Sequence, residues 1–271
     1  MSDTQNNDNV VTYNVSFGDC RDELLTRAGP NGTHAYEQWR KRRGYGAVAE
    51  FVEGFTHSHL FCVSSTQVRE VLQRSNHALG AVHKSEQLPI IENFTTPFAF
   101  QHLFHWYIET HNQLPTWDEY KEWMKTGEAA RHWYDPLRKH LLGNGYRGFS
   151  KKRLASAIRW RLGKVYYSNM REIELLARLR ASGVPVKYHL LADVLLRVDF
   201  WSGRRLACTY VPNEKYRDKN LGRKRQTVEF FEGAKQPMVV EDFPIERQGA
   251  GRIWWASDDT VKRIGSFLSA Q

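Results

Sequence analysis

No stretch of this 271-residue chain approaches about eighteen consecutive apolar residues, so a membrane-spanning helix is not expected. The opening MSDTQNNDNV, residues 1–10, has neither the basic start nor the apolar run of a secretory leader, and reads as a disordered lead-in to a cytoplasmic protein. Cysteine is scarce: Cys20, Cys62 and Cys208 stand far apart, without the paired spacing of a zinc site and too few for a disulfide framework. The thiols are expected to be reduced, with Cys62 and Cys208 in the core because their neighbours are apolar. A phosphate-cradling GxxxxGK[ST] loop is missing as well, since the glycine-rich GNGYRG at 143–148 is too short and follows a helical pattern rather than a strand. His57 and His59 would share one side of a strand, but no third ligand follows at motif spacing, and His77 and His83 lie in or beyond another element.

The most informative absence is of negative charge. Between Pro136 and Arg171 there is no Asp or Glu, against ten basic residues: Arg138, Lys139, Arg147, Lys151, Lys152, Arg153, Arg159, Arg161, Lys164 and Arg171. A second basic run, KYRDKNLGRKR, carries Lys215, Arg217, Arg223, Lys224 and Arg225 with Asp218 alone against them. With a net charge of +9, two such tracts favour a polyanionic partner. Duplex DNA leads, while structured RNA or an acidic protein surface would satisfy the same charge.

Hydrophobic periodicity predicts an α+β protein. Residues 11–95 read as a small αβ region: VVTYNVSF and HLFCVS have strand character, a helix breaks near Gly44 and Gly46, and STQVREVLQRSNHAL is a helix capped by Ser65 or Thr66. HKSEQLPIIENF, interrupted by Pro89, reads as a linker. Residues 96–164 form a helical, basic, nucleic-acid-binding region. There FAFQHLFHWYIETHN, the turn QLP and TWDEYKEWMK, with Thr116 and Glu119 in capping-box spacing, outline a helix-turn-helix. Ser150 caps KKRLASAIRWRLGK, with Leu154, Ala157, Ile158 and Leu162 as its buried stripe and Lys151, Lys152, Arg159 and Lys164 outside. From 165 to 271 a helix, NMREIELLARLRASG, gives way to short strands VPVKYHLL, ADVLLRVDFW and RRLACTYV. QTVEFFEG, a proline-rich connection and a closing helix DDTVKRIGSFLSA follow.

That order of helix glutamate, strand aspartate, hairpin and further strand resembles the core of the PD-(D/E)XK, or restriction endonuclease-like, nucleases over residues 165–240. The resemblance implies that a helix glutamate, a strand aspartate and an acid-X-lysine strand hold Mg²⁺ and place the attacking water. Carried onto this chain, it offers Glu172 or Glu174 with Asp193 or Asp199, and Glu174 with Asp199 is the pair selected as metal ligands. The strand after the turn places Ala207, Cys208 and Thr209 where the acid and lysine belong, which leaves Glu214 and Lys215 as the residues able to take those roles. A regular strand across 191–201 would also set Asp193, Arg197 and Asp199 on one face, a pattern that serves equally as a salt-bridged surface.

The functional expectation is therefore a DNA-binding protein without catalysis and without a cofactor. It would grip the phosphate backbone through Arg147, the helix at 150–164 (Lys151, Lys152, Arg153, Arg159) and the loop at 215–225 (Lys215, Arg217, Arg223, Lys224, Arg225). The alternatives are a Mg²⁺-dependent endonuclease using Glu174, Asp199, Glu214 and Lys215, and an assembly component that binds an acidic protein or RNA.

Overall fold

The computed structural model describes residues 13–143, 148–212, 226–245 and 253–270. The fold is α+β and dominated by helices. A short antiparallel ladder joins β1 (Val15–Ser16) to β2 (Thr56–His57), enclosing α1 (Phe17–Glu23), α2 (Pro30–Lys41) and α3 (Gly46–Glu53). Then come α4 (Ser65–Arg74), α5 (Pro89–Glu92), α6 (Phe100–His111) and α7 (Trp117–Trp123). The turn α8 (Gly127–Ala129) runs through a π-turn at Ala130–Tyr134 into α9 (Asp135–Gly143). The spine of the molecule is α10 (Lys151–Ala181), followed by β3 (Phe200–Ser202), β4 (Arg205–Tyr210), α11 (Thr227–Phe231), β5 (Val239–Pro244) and α12 (Asp258–Ser269).

Local chemistry explains most of these boundaries. Thr116 and Glu119 close the capping box that starts α7, as their spacing predicts. The start of α4 shifts by one residue because Ser64, not Ser65 or Thr66, is the cap, paired with Gln67. The HLFCVS segment is a 3-10 turn at His59–Cys62 rather than a strand, and it leaves Cys62 exposed while Cys208 is buried as expected. QTVEFFEG forms the short helix α11, and the proline-rich connection contains β5.

α10 is 31 residues long, about 46 Å of continuous helix. It packs against α4, α5, α6, α7 and α12, so a boundary at 164/165 falls inside a single helix. One face of it, with Arg159, Gly163 and Tyr167 at four-residue spacing, clamps the segment at 77–79. The Arg159 guanidinium donates to Ala78 O and His77 O, each at 2.8 Å, and the Tyr167 hydroxyl accepts from Ala78 N at 3.0 Å. A Cβ on Gly163 would stand 3.2 Å from Ala78 C and 2.8 Å from Leu79 Cδ2, so a larger residue there would displace the Leu79 side chain and crowd the backbone at 78. The segment read as a linker is likewise seated on the spine, with Ile91 buried and α5 packed against α10. The apolar core is continuous, and Trp117, Trp133 and Trp201 are fully buried in it.

The sheet has the order β3-β4-β5. β3 and β4 form an antiparallel hairpin in register Phe200↔Ala207, turning at Gly203 (φ +57°), and β5 runs parallel to β4. α12 packs on β4 and also reaches α10, so the sheet is anchored to the spine from one side.

The helix-turn-helix outline is present in α6 and α7, but α6 is mostly buried and α7 exposes Glu119 and Glu122 with Asp118 half-exposed. An outer face carrying these acids disfavours close approach of phosphate to α7. Among the described residues no helix is long and apolar enough to cross a membrane.

Candidate metal centre

The segment at 191–201 is not one strand. Ala192–Leu196 form a π-helical turn, and Arg197 adopts the left-handed conformation (φ 63°) that ends it. The chain is thereby folded back, and only Phe200–Ser202 enter the sheet. Helical turn and reversal replace the strand periodicity, so Asp193, Arg197 and Asp199 do not share a sheet face. The Arg197 carbonyl accepts from Thr227 Oγ1 at 2.8 Å, which fixes the left-handed residue against α11.

The consequence is a convergence of three acids from three elements. Glu172 comes from α10, Asp193 from the π-turn and Asp199 from the residue before β3, and one carboxylate oxygen of each lies within 4.8 Å of the others. Asp199 is oriented by Thr209 on β4, whose backbone N–H and hydroxyl both donate to Oδ2, at 2.5 and 2.6 Å. Tyr188 donates its hydroxyl to Asp193 Oδ2 at 3.1 Å. Glu172 Oε1 is sealed from solvent and has no hydrogen-bond partner among the described residues.

The electrostatics reflect crowding of like charge in a dry place. Burial, then the charges of Asp193 and Asp199, push the Glu172 carboxyl well above its ordinary range. Burial raises Asp199 to about 6, against the opposing pull of Thr209, Arg171 and Arg197. Arg171 stands beside Glu172 and Asp199, and its guanidinium also donates to Ser168 Oγ at 2.9 Å. Among the described residues, the cations at the cluster are Arg171 and Arg197, against three carboxyl groups. A hard divalent cation fits such a donor set, because it takes carboxylate oxygens as ligands and supplies the missing positive charge.

Glu174, selected from the sequence as the metal ligand on the helix, is elsewhere. It is fully buried and ion-paired with Arg69 of α4 at 2.7 Å, with Arg178 at 3.9 Å. Residues two apart on a helix point about 200° from one another, so Glu172 and Glu174 cannot both face the cluster. The spacing of Glu174 to Arg178, one turn apart, was the sequence signal that Glu174 belongs to an ion pair. Asp199 is in the cluster as selected. Glu214 and Lys215 lie outside the described residues, as do Arg147, Arg217, Arg223, Lys224 and Arg225.

The basic tract divides once folded. Lys151, Lys152 and Arg153 are exposed on the first turn of α10, and Arg138 and Lys139 are exposed on α9. Arg159, read from the sequence as an outward cation, is half-buried and donates its guanidinium to the carbonyls of 77 and 78. Arg161 bonds Ile91 O, Lys164 reaches Glu92 at 3.6 Å, and Arg171 belongs to the carboxylate cluster.

Comparison of the chain with protein-family models, with curated proteins and with solved structures returned no match.

Proposed function

We propose that this protein is a divalent-cation-dependent nuclease acting on DNA, built on a core of the restriction endonuclease-like kind. The observation that carries the reading is the meeting of Glu172, Asp193 and Asp199 around the buried Glu172 Oε1, which has no hydrogen-bond partner among the described residues. The order of elements supports it: a helix bearing an acid, an aspartate entering a β-hairpin, then a helix and a strand parallel to the second hairpin strand. Ala207, Cys208 and Thr209 deny the hairpin a second carboxylate, and Asp193 supplies one from the turn instead.

Mg²⁺ or Mn²⁺ held there would activate water and offset charge on the scissile phosphate. Glu172, Asp193 and Asp199 would ligate it, and Thr209 holds Asp199 in place. Arg171 and Arg197 are the cations that face the cluster among the described residues, and neither can accept a proton, so proton removal falls to the carboxylates. Lys151, Lys152 and Arg153 provide an exposed cationic edge that attracts the nucleic-acid backbone without reading sequence.

The test is incubation of linear, supercoiled, single-stranded and branched DNA, and of RNA, with Mg²⁺ or Mn²⁺. Wild type is compared with Glu172→Gln, Asp193→Asn and Asp199→Asn. Metal-dependent cleavage by wild type, lost in all three variants with binding kept, is the expected result. Binding to nucleic acid without cleavage under any of these conditions would return the protein to the binding-only role that the basic tracts alone suggest.

A further inference from the structure

Tyr188 joins the carboxylate cluster to a part of the fold far away in sequence. Its hydroxyl lies 3.1 Å from Asp193 Oδ2 and 3.1 Å from His105 Nε2, and the tyrosine is buried. An ionised carboxylate can only accept, so the hydroxyl proton goes to Asp193 and the phenol oxygen is left to accept from His105. His105 must then carry its proton on Nε2. Histidine tautomer, phenol direction and carboxylate orientation are settled together.

The support extends outward along α6. The His105 and Tyr188 rings stack at 4.9 Å, and the buried His57 ring meets both edge-on, at 5.0 and 5.1 Å. One turn beyond His105, Glu109 accepts from the backbone N–H groups of Ser58, His59 and Leu60 at 2.8–3.0 Å, fixing the chain next to His57. A single helix face thus anchors the histidine and the segment that packs on it.

Resting on the site reading above, we infer that Tyr188, held by His105, is a positioning residue for the Asp193 carboxylate. The inner ligands of a metal depend on such outer hydrogen bonds for their orientation, and losing one typically costs about 10- to 100-fold in metal affinity. Tyr188→Phe deletes the donor and keeps the ring that packs among His57, His105 and Phe200.

The experiment uses the full chain and Mn²⁺ as the probe, followed by calorimetry and by the electron paramagnetic resonance spectrum of the bound ion. Tyr188→Phe is expected to weaken Mn²⁺ binding by about tenfold or more and to alter the spectrum, because the ligand geometry relaxes. His105→Gln, whose amide can donate from the place of Nε2, should stay close to wild type, while His105→Leu should move toward Tyr188→Phe. This rescue separates positioning from packing and remains decisive if Tyr188→Phe does not fold. Wild-type affinity and spectrum in Tyr188→Phe, or equal losses in both His105 variants, would overturn the inference and leave the metal site standing. No Mn²⁺ binding by wild type would instead remove the site itself, and this inference with it.

Discussion

Glu172 and Glu174 leave the same helix in opposite directions, the first to meet Asp193 and Asp199, the second to meet Arg69 at 2.7 Å. Their substitutions should have opposite effects. Glu174→Gln removes the buried acid of the pair and leaves Arg69, which is half-exposed and can be solvated, so it is expected to cost about 1 kcal/mol of stability while leaving divalent-cation binding intact. Glu172→Gln should abolish cation binding with little loss of stability, because burial and the neighbouring acids already favour the uncharged form of that carboxyl. Thermal unfolding and Mn²⁺ titration of the two variants check the contrast, and a reversal of the two patterns would reassign the ligand.

The raised acidity constant of Asp199 makes a signed prediction. In the metal-free protein its folded value of about 6 lies above the ordinary 3.8, so its favourable contribution is complete below pH 4 and is lost as pH rises through 6. Asp199→Asn should therefore be more stable than wild type above pH 6, by about 3 kcal/mol at most. Below pH 4 the difference should vanish.

The difference between the two proteins cancels the buried histidines and leaves Asp199 together with its neighbour Glu172. His57, His102, His105 and His189 are buried and held neutral, with His102 lowered to about 3 and His189 to about 4. Their contribution has the other sign, being complete above about pH 6.5 and lost as pH falls through these folded values. Unfolding of wild type and Asp199→Asn across pH 3.5–8 measures both trends. A stability difference independent of pH would contradict the assignment.

Lys151, Lys152 and Arg153 are exposed whereas Arg159 is committed to two backbone carbonyls. Changing the first three to Ala together should weaken DNA binding and reduce its salt dependence by up to about three phosphate contacts. Arg159→Ala should lower the unfolding temperature, because it strands Ala78 O and His77 O, and should leave the salt slope unchanged. Gel-shift titrations across a salt series distinguish the two.

What was legible in the sequence was local. The capping box of α7, the break between α2 and α3, the exposed first turn of α10 and the closing helix all follow from neighbouring residues, and each is present. What was not legible depended on distance. Arg159 reads as an outward cation until the chain 81 residues earlier is laid against it. Asp193 reads as a strand residue because LADVLLRVDFW has enough β-branched and aromatic character for a sheet, and nothing local announces a left-handed Arg197. The support of Asp193 by Tyr188 and His105 spans 83 residues and leaves no periodic trace.

The central claim is that Glu172, Asp193 and Asp199 form a divalent-cation site, and calorimetric titration of the metal-free protein with Mn²⁺ near pH 7.5 tests it most directly. The account predicts saturable binding to wild type that tightens as pH rises, because the cation competes with protons for the raised Glu172 and Asp199 carboxyls. Binding should be lost in each of Glu172→Gln, Asp193→Asn and Asp199→Asn, and kept in Glu174→Gln. Absence of binding in wild type, or binding that survives all three substitutions, would contradict it.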